Sequence, residues 1–330
     1  MHYKVLGKTG LNVSDIGFGA WAIGGPANVG GVAIGWGQTN DQESLAALDA
    51  AYDAGVNFID TADFYGLGHS EELIGQWLRS RQPKHMVIAS KVGNTIVNGK
   101  PGQNFSKKHI LAAIDKSLER LGVEAIDIYQ LHGPNLETLK QGECIEALTE
   151  LKSLGKIKHW GASLPTQKPW ITGDWLMEQG QGEHFQIVYN AINQQADDLI
   201  RRASGVGYGI IARMPLQFGL LTGKFNPDTR FGADDHRKFR LEPEMMGRLL
   251  EGMEAFKPFL APYASAWLDF ALQFDISHPG IHTTIPGIRT VDQAIRNAGA
   301  SEAKPTDQND REALSAIYQE IFEPLVLQFK

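Results

Sequence analysis

Four residues of different chemical type stand at or just beyond the ends of short aliphatic runs. Asp60 closes Phe58-Ile59-Asp60, Lys91 closes Val87-Ile88-Ala89-Ser90-Lys91, and His132 closes Ile128-Tyr129-Gln130-Leu131-His132. Tyr65 follows Asp60 by five residues, in Thr61-Ala62-Asp63-Phe64-Tyr65-Gly66. If the three runs are neighbouring parallel strands, ~4.8 Å apart, their ends converge on one point. A carboxylate, an ammonium and an imidazole at the ends of buried strands need partners. A free phenol, with a pKa near ~10, is a weak acid for fast proton donation at neutral pH. The Lys91 cation is expected to lower that pKa, Asp60 to hold the ammonium, and His132 to orient a substrate oxygen. Such a donor beside a developing alkoxide suits reduction of a carbonyl. No side chain supplies hydride, so the chemistry calls for a cofactor. Taken singly, Asp60 and Lys91 read as a structural ion pair and His132 as a satisfied strand-end histidine; together, at successive strand ends, they read as a site.

The elements that must carry these residues alternate along the chain. Strand-like runs occur at Ile16-Ile23, Asn57-Asp60, Met86-Lys91, Ile126-His132, Ile157-Ser163, Phe185-Tyr189, Gly209-Arg213 and Thr283-Gly287. Helical periodicity separates most of them. Asp41-Gly55 repeats Leu45, Leu48, Ala51 and Tyr52 and stops at a glycine; Ser106-Gly122 has a Ser cap, the stripe Ile110, Ile114, Leu118, Leu121 and a terminal Gly; Cys144-Gly155 repeats the pattern. Eight strand–helix units linked by right-handed crossovers predict an α/β fold, a closed (β/α)8 TIM barrel. Tyr3-Val13, with Gly7-Lys8-Thr9-Gly10 at its middle, predicts an N-terminal β-hairpin placed to plug the barrel bottom. The long irregular stretches Gly24-Thr39, Val92-Phe105 and Gln217-Glu242 follow strand ends and should be loops on the C-terminal face. No linker-like tract or longer repeat divides residues 1–330, which predicts one domain.

Composition sets the class. Of 330 residues, 42% are apolar, 21% charged and 9% aromatic, which excludes a disordered or fibrous chain. Lys and Arg total 31 against 38 Asp and Glu, a formal charge of −7 that argues against nucleic-acid or anionic-membrane partners. Cys144, the one cysteine, excludes an internal disulfide framework and a cysteine zinc cage. No His, Asp or Glu spacing resembles a metal site. Met1-His2-Tyr3-Lys4 opens no apolar signal segment, and no run approaches the ~18 residues of a membrane helix, so a cytoplasmic protein is expected.

These residues resemble the Asp-Tyr-Lys-His tetrad of the aldo-keto reductase superfamily, and the likeness spans nearly the whole chain. It includes Leu6-Gly7-Lys8-Thr9-Gly10-Leu11, Gly17-Phe18-Gly19-Ala20-Trp21, Trp160-Gly161-Ala162-Ser163 and Phe185-Gln186-Ile187-Val188-Tyr189-Asn190. It continues through Pro215-Leu216-Gln217-Phe218-Gly219-Leu220-Leu221-Thr222-Gly223-Lys224, Ile285-Pro286-Gly287-Ile288-Arg289, Gln293 and Asn297. The resemblance implies an oxidoreductase that moves hydride between NADPH and an aldehyde or ketone. Tyr65 would be the general acid, or the base in reverse, with Lys91, Asp60 and His132 in the roles given above. The family binds NADPH along the C-terminal rim without a Rossmann fold, and no Gly-x-Gly-x-x-Gly opens a helix after the first strand.

The resemblance also implies the cofactor contacts. Ser163 and Gln186 would hold the nicotinamide carboxamide, with Gly19, Ala20 and Trp21 along the central groove and Asp60 also among the cofactor contacts. Leu216, Gly219 and Lys224 would follow the pyrophosphate, joined by Arg237. Gly287, Arg289, Gln293 and Asn297 would hold the adenosine end, where Arg289, one turn ahead of a helix start, suits a 2′-phosphate. Two positions depart from the pattern: Leu164 follows Ser163 where Asn is frequent, and Arg213 replaces a nicotinamide-stacking aromatic ring, a place its planar guanidinium can take.

On the substrate side Trp21, Trp36, Phe64, Phe105 and Phe218 would form an apolar wall. Two other readings use the same residues. One is an NADP(H)-binding, redox-sensing regulatory subunit with very slow turnover, since some members of the superfamily associate with channels. The other is a barrel lyase or isomerase in which Lys91 forms a Schiff base. The partner expected here is a small carbonyl compound, with homo-oligomerisation open.

Overall fold

The eight aliphatic runs become eight parallel strands in the computed structural model of the protein, which describes residues 1–232 and 235–326. They are β1 (Phe18–Gly19), β2 (Phe58–Asp60), β3 (Val87–Val92), β4 (Ile126–His132), β5 (Ile157–Ser163), β6 (His184–Val188), β7 (Gly209–Arg213) and β8 (Thr283–Ile285). Each pairs with its sequence neighbours, and parallel bridges from Ile16 to Thr284 and from Gly19 to Gly287 join the first strand to the last. The helices α1 (Asp41–Asp53), α2 (His69–Arg81), α3 (Lys107–Leu121), α4 (Glu143–Ser153), α5 (Trp170–Glu178), α6 (Asp197–Gly205), α7 (Trp267–Ile276) and α8 (Val291–Gly299) run between and after the strands. This is a (β/α)8 barrel, as the alternation of patterns predicts.

Strand alternation sorts the side chains into two cores. Ile59, Ile88, Tyr129 and Leu131 point outward and pack with the helices. Phe58, Val87, Ala89, Ile128, Ile211 and Ile285 form a separate apolar cluster that also includes Leu6 and Val13 of the hairpin. Two residues further along the same faces stand Asp60, Lys91, Gln130 and Arg213. The barrel interior is therefore apolar towards the hairpin and polar towards the C-terminal ends.

The hairpin pairs Tyr3 with Ser14, Lys4 with Val13 and Val5 with Asn12. Gly7, at φ +49°, lies so close to the barrel floor that a Cβ there would fall 2.3 Å from the Gly209 nitrogen. Only glycine combines that backbone angle with that approach.

The helices end where their sequences say. Asn40 caps α1 by accepting from the Glu43 N–H at 3.0 Å, and Ser106 caps α3 by accepting from His109 at 3.3 Å. Gly122 ends α3 in the left-handed region at φ +67°.

The stretches expected to be irregular hold more structure than that. Residues 28–33 contain the antiparallel pair Asn28–Val29 with Val32–Ala33, and residues 94–103 contain Asn94–Val97 with Lys100–Gln103. The third, over 217–242, contains a short 3₁₀ segment at Gln217–Thr222 and one helical turn at Arg237–Arg240; residues 233 and 234 in it lie outside the described residues. Among the described residues no helix is long and apolar enough to cross a membrane. Among them, too, no group of three His, Cys, Asp or Glu residues is placed to hold a metal.

Candidate active site

At the C-terminal ends of β2, β3 and β4 the polar layer closes around one nitrogen. Lys91 Nζ donates to Asp60 Oδ2 at 2.6 Å, to the Thr61 carbonyl at 2.8 Å and to the Tyr65 hydroxyl at 3.1 Å. Register explains the reach: Asp60 lies opposite Ala89, so Lys91 stands one pleat higher and its side chain comes back to the carboxylate. Lys91 is completely buried and Asp60 nearly so. Burial alone would drive the ammonium to lose its proton, but Asp60 and Tyr65 outweigh it and Lys91 titrates above its ordinary value. An amine held as a cation by three acceptors is a poor nucleophile, which counts against the Schiff-base reading.

Tyr65 follows β2 through a loop that turns sharply at Gly66. A Cβ on Gly66 would sit 2.1 Å from the Gly24 carbonyl oxygen, and its φ is +61°. The glycine thus lets the loops after β1 and β2 touch, which brings the Tyr65 ring against Trp21 at a centroid distance of 5.9 Å. From its place in the motif, Lys91 is expected to make this phenol more acidic. Lys91 does pull its pKa down, but burial pushes it up further, Asp60 adds to that rise, and the net shift is upward. The main reason is the loss of solvent around the phenol, and Asp60 offsets part of the field that Lys91 exerts. Tyr65 is held here as a protonated acid, with the ammonium as its hydrogen-bond partner.

His132 packs edge-on against the Tyr65 ring at 5.9 Å. Burial, and then the cations Lys91 and Arg213, hold its pKa well below the usual histidine range, so the imidazole is neutral. A neutral imidazole can donate one hydrogen bond without placing a second charge beside Lys91.

Asp60 has further partners that sequence reasoning missed in part. Its Oδ1 accepts from Gln186 Nε2 at 2.7 Å and from Gln130 Nε2 at 3.1 Å. Gln130 was not among the predicted site residues. A detectable signal existed: a glutamine inside an otherwise aliphatic buried strand, two residues before His132, must face the same way as His132. Ser163 donates to Gln186 Oε1 at 3.3 Å, which joins two more strand ends to the network.

A cavity of about 590 Å3 opens over this layer and runs along the C-terminal face. Among predicted cofactor residues, Gly19, Trp21, Asp60, Ser163 and Gln186 line it at the tetrad end. Arg213, Leu216, Gly219 and Arg237 follow, then Gly287, Arg289 and Gln293. Ala20 does not line it; it is fully buried, and its carbonyl accepts from Ser70. Lys224 is exposed and lies outside the lining. Asn297 is buried beneath the far end, with its Nδ2 unpartnered. Arg237 is already paired with Asp235, at 2.5 Å.

The predicted apolar wall divides. Trp21, Trp36, Phe64 and Phe218 line the cavity, whereas Phe105 is buried in the outer core. The Phe105 ring fills the space beside Gly93, where a Cβ would fall 2.0 Å from it, so it cannot face a ligand. His236, unforeseen from the sequence, lies 4.5 Å from both Trp21 and Trp36, and its Nδ1 meets the Gly35 carbonyl at 3.2 Å. That contact joins the loop after β7 to the loop after β1 across the cavity.

The cavity fits a long, polyanionic ligand. Arg213, Arg237, Arg240 and Arg289 line it, and among the described residues the one carboxylate in the lining is Asp60, which already accepts from Lys91, Gln130 and Gln186. Buried Arg213 Nε and His132 Nδ1 have no partner among the described residues. Such groups fit a nicotinamide dinucleotide, with a carbonyl compound between its ring and Tyr65.

Comparison with known proteins agrees with this arrangement. The chain is 28% identical over 320 residues to the NADH-specific methylglyoxal reductase of Escherichia coli, covering 92% of this chain and 94% of that one. It is also 28% identical over 325 residues to a probable voltage-gated potassium channel subunit beta of Arabidopsis thaliana, with 92% of each covered. The fold superposes on the holo form of an aldo-keto reductase from Bacillus halodurans with a TM-score of 0.76, 26% identity and 96% of each chain covered. Since the family pattern itself extends over residues 15–319, from the hairpin to beyond α8, the chain belongs to the aldo/keto reductase family.

Proposed function

We propose that the protein reduces an aldehyde or ketone with NADPH, reversibly with the alcohol, and that Tyr65 is the proton donor. Members of the family use nicotinamide cofactors and act on small carbonyl compounds. The observation that carries the finer reading is the Lys91 ammonium, which bridges Asp60 at 2.6 Å and the Tyr65 hydroxyl at 3.1 Å.

The bound dinucleotide supplies hydride. The chain does the rest. Tyr65 holds a proton at its hydroxyl, where burial keeps it until a stronger base forms nearby. A carbonyl oxygen gaining negative charge beside that hydroxyl is such a base, and Lys91 stabilises the phenolate left behind. Neutral His132 orients the same oxygen. Gln186 and Gln130 fix Asp60, which fixes Lys91. Ser163 and Gln186, which line the cavity beside the tetrad, hold the nicotinamide carboxamide in this reading, and Trp21, Trp36 and Phe64 exclude water around the carbonyl. Arg289 and Gln293, joined by a hydrogen bond from the Arg289 N–H to Gln293 Oε1 at 2.9 Å, open α8 at the far end. A cation at a helix N-terminus suits the 2′-phosphate of NADPH over NADH.

Likeness to a channel subunit supports a second reading, a regulatory protein that binds NADP(H) and turns over very slowly. One measurement separates the two. Bound NADPH is mixed with a panel of aldehydes, sugars, quinones and keto-steroids, and its absorbance is followed through a single turnover. Oxidation within seconds supports the reductase; tight binding with oxidation over hours supports the regulatory subunit.

A further inference from the structure

Among the described residues, Arg213 is a half-buried cation without an anion. It ends β7, and its Nη2 donates to the Leu164 carbonyl at 3.0 Å and to Thr166 Oγ1 at 3.3 Å. Both acceptors are neutral and lie just beyond the end of β5, so they hold the guanidinium across the cavity wall without cancelling its charge. Its Nε is buried and unpartnered, and among the described residues no carboxylate forms an ion pair with it. Asp60, the acid in the same wall, is taken up by Lys91, Gln130 and Gln186. Burial lowers the Arg213 pKa to about 10, which leaves it charged at neutral pH. Its field reaches both Tyr65 and His132, lowering the pKa of each. The two cations of the inner wall are thus unequal: Lys91 is neutralised by Asp60, and Arg213 is not.

We infer that Arg213 biases the bound nicotinamide towards its reduced form. The inference rests on the nicotinamide reading of this cavity and deepens it. Arg213 lines the wall together with Ser163, Gln186, Tyr65 and His132, the same end that would receive the nicotinamide ring. That ring is neutral when reduced and cationic when oxidised. A fixed, desolvated positive charge beside it disfavours the oxidised ring and leaves the reduced one nearly untouched. The protein therefore binds NADPH more tightly than NADP+, and its bound reduced cofactor is, at equilibrium, a weaker hydride donor than in free solution, by the ratio of the two dissociation constants. The bias is independent of the 2′-phosphate, because Arg289 stands at the opposite end of the cavity.

Dissociation constants measured without any carbonyl substrate test this, by quenching of the fluorescence of Trp21 and Trp36. The native protein should bind NADPH about tenfold more tightly than NADP+, equivalent to ~1.4 kcal/mol. Arg213→Met, which keeps the length of the side chain and removes its charge, should bring the ratio close to unity. Arg213→Lys should retain most of the preference, and the pair NADH and NAD+ should show the same trend at lower affinity. A native ratio within about twofold of unity overturns the inference without any variant being made, and so does an Arg213→Met ratio equal to the native one. If the native protein binds none of the four dinucleotides, the nicotinamide reading itself falls. Binding of all four with no preference for the reduced forms removes only the role of Arg213.

Discussion

Gln186 Nε2 lies 2.7 Å from Asp60 Oδ1, although 126 residues separate the two in sequence. That bond ties the far side of the barrel to the carboxylate that anchors Lys91. Gln186→Leu leaves Asp60 with one fewer donor and loosens Lys91. The expected result is a fall of about tenfold in kcat for carbonyl reduction, with KM for the carbonyl little changed. Gln186→Glu should be worse, because it brings a second carboxyl to Asp60. Steady-state kinetics on the two variants checks the order.

Tyr65→Phe removes the hydroxyl 3.1 Å from Lys91 Nζ and little else. Carbonyl reduction should fall by roughly 10²–10⁴-fold, the range for loss of a general acid. NADPH affinity should stay within about threefold of native, because the phenol acts on the substrate oxygen. Single-turnover absorbance and a binding titration on the same sample read both quantities. Substantial remaining turnover would mean that another group donates the proton.

Arg289→Ala addresses the other end of the cavity. It should weaken NADPH by about tenfold or more and NADH by less than about twofold, since only the former carries a 2′-phosphate. Equal losses for both cofactors would place the phosphate elsewhere.

His184 supplies a pH prediction away from the chemistry. It is completely buried, neither ring nitrogen has a partner among the described residues, and its pKa is pushed down to about 3 by burial. The unfolded chain protonates such a histidine below ~6.5, so it then binds more protons than the folded one. The contribution of His184 is therefore fully present above that pH and is lost as pH falls towards 3. Between pH 6.5 and 4.5 the loss approaches ~1.4 kcal/mol per unit. Urea titrations at pH 7 and pH 5 should show the native protein losing more stability than His184→Gln over that interval. Equal losses would contradict the assignment.

What could be read in the residues, and what could not, follows from where each signal comes from. The eight strands were legible because parallel strands buried on both faces give aliphatic runs, and Phe58-Ile59-Asp60 shows one with its polar end attached. The helices were legible at Ser106 and Gly122 because caps and left-handed stops demand particular residue types. Phe105 was misplaced because an aromatic in a loop carries no mark of the direction it faces; the space beside Gly93 decided that. The small hairpins at 28–33 and 94–103 were missed because their strands are too short to set up an alternating pattern. The upward shift at Tyr65 was hidden for another reason. Adjacency to a lysine is visible in a motif, but the degree of burial and the cancelling charge of Asp60 depend on the assembled barrel.

The hairpin at the base of the barrel gives the interior an asymmetric connection to solvent. With Leu6 and Val13 sealed into its floor, the interior is packed with apolar side chains on the hairpin side, and the cavity lies at the opposite, C-terminal end. In the proposed reduction, protons for the phenol, carbonyl compound and alcohol would therefore come and go on the C-terminal side, away from the hairpin.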